Sequence, residues 1–379
     1  MSLINYVTKI QFGYDSLQHL AAEAERAGIT RPLIVTDIGV RNAGIVDKVI
    51  AALGASLPPS IFDATPSNPN EHAVREAVAQ YHLDECNGII AVGGGSSIDL
   101  AKGVAVCATH DGPLHSFSVI EGGLDRITSA TAPLIAVPTT AGTGSEVGRG
   151  AILILDDGRK VGVISPYVVP RVAICDPELT LGLPPMLTAA TGMDAIAHCI
   201  ETFMAPAFNP AADGIALDGL WRAWEHIERA TAEPGDREAR MNMMSASMQG
   251  ALAFQKGLGC VHSLSHALGG INPKLHHGTL NAIFLPAVVD FNANAPTVRD
   301  ERKLERLRHA MGLEAGANIG TAIEDMTRRL GLPTRLSEIG VDESLFAGIV
   351  EGALHDHSHK TNPREASSAD YLSMLAQSL

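Results

Sequence analysis

Residues 194–277 constrain the fold more than any other segment, because they set one carboxylate and several imidazoles at helical spacing. Asp194 and His198 stand four residues apart in TGMDAIAHCIETF, so a helix would place both side chains on one face. His262 and His266 repeat that spacing in GLGCVHSLSHALGG. A single histidine on an apolar helix is usually a core or surface residue, but two such pairs in neighbouring helices are harder to dismiss.

A third element, KLHHGTLNA, follows the second predicted helix, which Gly269 and Gly270 are expected to end. Either His276 or His277 could add an imidazole to the set. One carboxylate and several imidazoles suit a catalytic divalent metal, which needs protein ligands and one position left for substrate. The sequence does not distinguish ferrous iron from zinc.

The composition is typical of a globular protein from a reducing compartment. Its 379 residues allow two domains, with 46% hydrophobic and 18% charged residues. A formal net charge of -14 argues against nucleic acid as a partner. The five cysteines are odd in number and scattered, which predicts free thiols. We expect no membrane segment and a cytoplasmic location.

The first 182 residues alternate β-rich and helical patterns, which is typical of a sheet covered by helices. The run RPLIVTD ends on Asp37, where a dinucleotide-binding fold places the carboxylate that binds the ribose 2′-hydroxyl. Such a carboxylate would favour NAD over NADP. A simple helix-capping aspartate is an equally good interpretation of this residue alone.

The clearest candidate for phosphate binding is GIIAVGGGSSIDLAKG, a buried strand followed by glycines and a helix. Gly94, Gly95 and Ser96 would let the backbone approach a pyrophosphate at the helix N-terminus. Asp99 lies in the first helical turns, where it contacts the cofactor or only complements the helix dipole. About half of such glycine turns are merely tight corners.

A second loop of this kind, TTAGTGSEVGRG, follows the strand APLIAVP. Its hydroxyls are expected to line the cofactor site, and they belong to Thr139, Thr140, Thr143 and Ser145. The next segment predicts a hairpin that turns at DG and directs Lys160 towards the cofactor, although a solvated lysine is the alternative.

From about residue 183 the periodicity is almost wholly helical, so we predict domains at 1–182 and 183–379.

Together, GGGSSIDLAK, PTTAGTGSEV, GMDAIAHCIE and GLGCVHSLSHALGG resemble the iron-containing alcohol dehydrogenase family over essentially the whole chain. SEVGRGAILILDDGRK, NMMSASMQGALAFQKGLG and HKTNPREASSADY are most similar to its bacterial 4-hydroxybutyrate dehydrogenases. The resemblance implies an α/β N-terminal dinucleotide-binding domain and an all-α C-terminal metal-binding domain, an architecture like that of dehydroquinate synthase.

The resemblance also implies roles for individual residues. The metal ligands would be Asp194, His198, His262 and His277, and we prefer His277 to His276 because it adjoins the glycine. The NAD contacts would include Asp37, Asn68, Gly94, Gly95, Ser96, Thr139, Thr140 and Lys160. His266 would help to move the hydroxyl proton.

We therefore expect an NAD- and metal-dependent dehydrogenase of a small primary alcohol, with 4-hydroxybutyrate as the first candidate. Its carboxylate needs a positive partner, for which Arg149 comes first and Lys256 and His359 are alternatives. A dehydrogenase of short unbranched alcohols or diols is the main alternative. A dehydroquinate synthase-like lyase and a non-enzymatic scaffold are remote ones. We also expect a homodimer or a higher homo-oligomer.

Overall fold

The computed structural model of the chain describes residues 8–379, which divide into two compact units. One unit holds the residues up to Thr140 together with Ser145–Gly182. The other holds Leu183–Leu379 and also takes in Ala141–Gly144. That short segment packs closely on the helices, which its glycines allow. A Cβ added at Gly142 or Gly144 would lie within 2.6 Å of helical residues.

The first unit contains a six-stranded sheet whose strand pairs are all parallel, in the order β1-β8-β5-β4-β2-β3. Its strands are β1 (Ile10–Phe12), β2 (Pro32–Val35), β3 (Ser60–Phe62), β4 (Gly88–Gly93), β5 (Leu134–Pro138) and β8 (Val172–Cys175). The helices of this unit are α1 (Leu20–Arg26), α2 (Ile38–Asn42), α3 (Ile45–Leu53), α4 (Glu71–Leu83) and α5 (Gly95–Cys107).

The central strands are apolar throughout, because helices cover both faces of the sheet. Ile89 and Ala91 of β4 face one core cluster, whereas Ile90 and Val92 face the other. The strand order reverses between β2 and β4, and in open α/β sheets this switch point is where ligands bind.

The predicted hairpin is confirmed. Strands β6 (Gly150–Ile154) and β7 (Lys160–Ile164) pair antiparallel, with Ile154 opposite Lys160. The connection uses Gly158 at φ 86°, a backbone conformation that favours glycine.

The second unit is helical among the described residues. Its helices are α6 (Pro185–Met204), α7 (Pro210–Ala232), α8 (Arg237–Leu252), α9 (Cys260–Ile271), α10 (His277–Asn292), α11 (Pro296–Asp300), α12 (Lys303–Ala310), α13 (Ile319–Arg329), α14 (Phe346–His355) and α15 (Ser368–Ser378). No helix in residues 8–379 is both long and apolar enough to span a membrane. The α/β and all-helical fold classes expected from the sequence are thus confirmed.

One helix end differs from its prediction. The expected stop at Gly269 and Gly270 is wrong, because α9 continues to Ile271. Asn272 ends the helix and precedes Pro273, and a residue before proline is disfavoured in the α conformation. Gly269 is buried inside the helix, where packing outweighs its poor helix propensity.

Candidate functional site

Three helices bring four potential metal ligands to one buried point. Helix α6 supplies Asp194 and His198, α9 supplies His262, and His277 begins α10. The distances from Asp194 Oδ1 to the Nε2 atoms are 3.4 Å for His198, 3.8 Å for His262 and 3.7 Å for His277. One carboxylate oxygen therefore faces three imidazole nitrogens.

These separations fit a divalent cation. Four ligands at about 2.0–2.1 Å from a tetrahedral ion lie about 3.4 Å from one another. Asn281 directs its Nδ2 into the cluster, 2.7 Å from Asp194 Oδ1 and 3.2 Å from His277 Nε2. Three imidazole nitrogens converging on a buried carboxylate are costly unless a positive charge joins them, so the donor set suits a resident metal.

The protonation state of His198 also favours metal binding. Burial, aided by the neighbouring His262, lowers the pKa of His198 to about 4, so this ring is neutral at physiological pH. A neutral imidazole offers the lone pair that a metal requires. Burial also disfavours the charged form of His262, but hydrogen bonding and attraction to Glu201 outweigh it and raise the pKa.

Glu201 orients His262 from the side away from the cluster. Its Oε2 lies 2.5 Å from His262 Nδ1, and its Oε1 accepts the backbone N–H of Val261 at 2.7 Å. A carboxylate on Nδ1 fixes the ring so that Nε2 points to Asp194. Glu201 was not predicted as a site residue, although it lies seven residues after Asp194 on the same helical face.

The remaining histidines have different surroundings. His276 caps the N-terminus of α10 and its side chain is exposed, so His277 is the residue whose Nε2 faces Asp194. His266 is buried and lies 2.9 Å through Nδ1 from Asp356 Oδ2. Two further residues were not predicted: Asn281, although it lies four residues after His277 on α10, and Asp356, which is 90 residues from His266.

In the first unit the glycine turn between β4 and α5 packs closely against its neighbours. Gly93 has φ 151°, and a Cβ there would lie 2.5 Å from Ser97 Oγ. A Cβ at Gly94 would lie 3.2 Å from the Thr140 side chain. Gly95 begins α5, so the backbone N–H groups of its first turn are exposed to an anion. Glycine is thus required in the turn, and the start of α5 that follows it is a candidate anion site.

Asp37 lies beside this turn as the N-cap of α2. Its Oδ1 accepts the Val40 N–H at 3.0 Å, and Ser97 Oγ donates to its Oδ2 at 3.3 Å. The residue is therefore a helix cap, as the simpler interpretation predicted, and its carboxylate also reaches the glycine turn. The two interpretations are compatible.

Two further predicted cofactor residues contact each other across the chain. Lys160 Nζ donates to Asn68 Oδ1 at 3.2 Å, which joins the hairpin to the loop before α4. Ser96 Oγ donates to the carbonyl of Ser67 at 2.6 Å. The structure thus gathers Asn68, Ser96 and Lys160 near the glycine turn.

Asp99 and Ser145, two further predicted cofactor residues, are joined in a buried hydrogen-bond network. Ser145 Oγ donates to Asp99 Oδ1 at 2.5 Å, and the Ile152 N–H donates to Oδ2 at 3.0 Å. Lys102 Nζ donates to Ser145 Oγ at 2.9 Å and to three backbone carbonyls of the loop at 2.6–2.9 Å. Burial lowers the pKa of Lys102 to about 8. This network shapes the loop that follows β5.

The threonines and the three substrate candidates have varied surroundings. Thr139 donates its backbone N–H to Gly93 O at 3.0 Å, and Thr143 belongs to the segment packed on the helices.

Arg149 is exposed. Lys256 is buried, and its Nζ pairs with Asp213 and donates to a backbone carbonyl. His359 is half-buried, and its Nδ1 lies 2.9 Å from the hydroxyl of Tyr371.

Comparison with known proteins covers both units. Residues 7–177 match the family model for iron-containing alcohol dehydrogenase, and residues 188–379 match the model for the C-terminal region of the same family. The chain is 62% identical to 4-hydroxybutyrate dehydrogenase of Cupriavidus necator, over 100% of both chains.

Solved structures share the fold. A crystal structure of 1,3-propanediol oxidoreductase matches with TM-score 0.93 and 32% identity, covering 100% of both chains. Sulfoacetaldehyde reductase from Bifidobacterium kashiwanohense, in complex with NAD+, matches with TM-score 0.89 and 27% identity, covering 100% of this chain and 99% of that one. These matches agree with the buried carboxylate and imidazoles and with the glycine turn. The chain belongs to the iron-containing alcohol dehydrogenase family.

Proposed function

We propose that this protein is an NAD- and metal-dependent dehydrogenase that interconverts 4-hydroxybutyrate and succinic semialdehyde. The observation that carries the substrate is the 62% identity to a 4-hydroxybutyrate dehydrogenase over the full length of both chains. The observation that supports the chemistry is the convergence of three imidazole nitrogens on Asp194 Oδ1.

In this proposal Asp194, His198, His262 and His277 hold ferrous iron or zinc. When bound, the cation supplies Lewis acidity at the substrate oxygen, and NAD supplies the carbon that accepts the hydride. Glu201 keeps the His262 ring oriented towards the cation. His266, which is not a proposed ligand, takes the hydroxyl proton.

The first unit binds NAD through the glycine turn and its neighbours. The N–H groups at the start of α5 meet the pyrophosphate, and Asp37 accepts from the ribose hydroxyls. A 2′-phosphate would face the Asp37 carboxylate, which disfavours NADP. The contacts that we propose are Asp37, Asn68, Gly94, Gly95, Ser96, Asp99, Thr139, Thr140, Thr143, Ser145 and Lys160.

We propose Arg149 as the first candidate to hold the substrate carboxylate. Its guanidinium is exposed, and an Arg fork matches a carboxylate in shape. His359 is a second candidate. Lys256 is the weakest of the three, because its ammonium is already buried against Asp213. We expect Arg149→Met to raise KM for 4-hydroxybutyrate far more than KM for an uncharged alcohol, whereas equal increases would remove Arg149 from this role.

A substrate screen tests the proposed activity. Metal-free enzyme is reloaded with iron or zinc, and NADH formation is measured with 4-hydroxybutyrate, 1,3-propanediol, butanol and ethanol. We expect the highest kcat/KM for 4-hydroxybutyrate, and a strong preference for NAD over NADP. A higher kcat/KM for 1,3-propanediol would favour the diol alternative, which the similarity to 1,3-propanediol oxidoreductase supports. Absence of NADH formation from every alcohol would refute the dehydrogenase.

We also propose a cytoplasmic homo-oligomer, at least a dimer. All five cysteines are free, which suits a reducing compartment. Strand β1 lies at the edge of the sheet, and an edge strand can pair with a second chain. Light scattering on the purified protein measures the number of chains per particle, and a monomer would refute the assembly.

A further inference from the structure

Asp356 directly follows α14 and lies against the imidazole of His266. Its Oδ2 is 2.9 Å from His266 Nδ1, which is hydrogen-bond distance. Both side chains are nearly buried, with 8% of Asp356 and 9% of His266 exposed. Because a carboxylate accepts, Nδ1 must carry the proton in this pair.

The packing of α14 on α9 fixes this contact. A Cβ at Gly352 would lie 2.9 Å from the Cβ of Ala267, and a Cβ at Gly348 would lie 3.3 Å from Ile271 Cδ1. These glycines, four residues apart on one face of α14, allow the two helices to approach closely. Asp356 follows four residues after Gly352. It lies beside both Ser263 and His266 of α9.

The Asp356 carboxylate is itself held in place. The backbone N–H of Ser358 donates to its Oδ1 at 2.8 Å, and Ser263 Oγ lies 3.5 Å from the same atom. His357 Nδ1 lies 3.6 Å from Oδ2, and the His357 ring stacks on His266 with centroids 5.6 Å apart. The carboxylate thus has partners on both oxygens, so its orientation is well defined.

His266 in turn lies beside the candidate metal ligands without being one of them. Its ring stacks on His277 with centroids 5.3 Å apart and meets His262 edge-on at 5.6 Å. With the proton on Nδ1, the lone pair of the neutral ring is on Nε2.

We propose that Asp356 is a positioning residue for proton transfer, which accepts the Nδ1–H of His266 and so keeps Nε2 as the basic nitrogen. During oxidation the substrate O–H bond would break and its proton would form an N–H bond at Nε2, and bound NAD would supply the carbon that accepts the hydride from the carbinol carbon. The alcohol and NAD+ become the aldehyde, NADH and one proton, which solvent finally takes from His266. This inference rests on the proposed dehydrogenase function and adds to it a role for Asp356.

A double-mutant cycle tests this role. The variants are Asp356→Asn, His266→Gln and the double substitution, with Glu351→Gln on the exposed face of α14 as the control. Asparagine keeps the size and the contact to Ser358 but loses the charge. We expect Asp356→Asn to lower kcat on the order of 10²-fold with KM little changed, and to increase the solvent isotope effect on kcat. We expect no further loss when it is added to His266→Gln, and no effect of Glu351→Gln.

Asp356→Glu and a spectroscopic measurement separate positioning from general support of the fold. Glutamate keeps the carboxylate, so it should retain more of kcat than asparagine does. In histidine-labelled, zinc-loaded protein, ¹⁵N spectra assigned with His266→Gln should show Nδ1 protonated and Nε2 unprotonated. Asp356→Asn should reduce that preference.

Several outcomes would overturn the proposal. Losses that multiply across the two sites would show that Asp356 does not act through His266. A proton on Nε2 in the unmutated protein would do the same. The His266, Asp356 and His357 ligand atoms lie within 4.8 Å of one another, so a second bound metal per chain that is lost in Asp356→Asn would assign them a different role.

The kinetic cycle uses whichever alcohol the enzyme oxidises fastest, so it does not depend on the substrate assignment. Inactivity towards 4-hydroxybutyrate would refute that substrate and leave the role of Asp356 intact. The ¹⁵N measurement requires no turnover, so it decides the tautomer even if no alcohol is oxidised.

Discussion

At the scale of single residues, buried carboxylates decide how the imidazoles of this protein are used. Glu201 and Asp356 each accept from the Nδ1 of one histidine, at 2.5 Å and 2.9 Å respectively. Such partners fix the tautomer and the ring plane, which an imidazole alone leaves undetermined. This orientation supports the proposed roles of His262 as a metal ligand and of His266 as a proton acceptor.

Glu201→Gln should weaken metal binding about 10- to 100-fold. Glutamine removes the charge and replaces one accepting oxygen with NH₂, so the N–H of either Val261 or His262 loses its acceptor. Titration of the metal-free protein with Zn²⁺ measures the effect. Glu225→Gln, on the exposed face of α7, is the matched control and should bind metal like the unmutated protein. An unchanged Kd in Glu201→Gln would remove Glu201 from the site.

At the scale of elements, α6 is the helix on which the candidate metal site is built. From Thr188 to Met204 each of its residues is buried, and both Asp194 and His198 belong to it. Its C-terminal carbonyls accept from two buried lysines: Lys256 contacts Phe203 O, and Lys303 contacts Met204 O and Ala205 O. Cations at a helix C-terminus offset the negative end of the dipole and satisfy carbonyls that the helix leaves unpaired.

Gly278 sets how closely α10 approaches α6. A Cβ there would lie 2.0 Å from Ala190 O, so Gly278→Ala must push α10 away and carry His277 from Asp194. We expect this substitution to lower metal affinity at least ~10-fold and to cost about 1–3 kcal/mol of unfolding free energy. Metal titration and thermal unfolding measure the two effects.

Gly214→Ala is the control for that prediction. Gly214 lies inside α7 with nothing within 4 Å of an added Cβ, so alanine should be neutral or stabilise the helix by up to about 1 kcal/mol. Equal behaviour of the two variants would show that the contact between α10 and α6 does not set the metal site.

At the scale of the whole molecule, two compact units carry two different kinds of ligand group. The glycine turn and Asp37 belong to the sheet-containing unit, whereas the carboxylate and imidazoles belong to the helical one. Each proposed ligand should therefore stabilise its own unit.

Removing the metal should destabilise the helical unit and leave NAD binding largely intact. A cation present at about 100 times its Kd stabilises the folded state by about 2.7 kcal/mol. Hydrogen exchange should slow in α6, α9 and α10 when metal is added, and near Gly94 when NAD is added. In Asp194→Ala the metal effect and turnover should both disappear, while the NAD effect persists. Metal-induced protection that survives in Asp194→Ala would place the cation elsewhere.

The sequence determined the type of most elements and the residue chemistry. Periodicity and the motifs predicted a sheet followed by helices, the hairpin at β6 and β7, and the helices that carry Asp194 and His262, because these depend on local spacing and on patterns of burial. The sequence misplaced the end of α9, where packing outweighed the low propensity of glycine.

Only the tertiary structure decided which of these groups meet. Asp356 and His266 are separated by 90 residues, and the contact between them depends on how closely α14 packs against α9. The choice of His277 over His276 likewise follows from the direction in which α10 leaves its N-terminus. Local sequence fixes the direction of a side chain relative to its own helix, but the distance between helices depends on what every packed side chain allows.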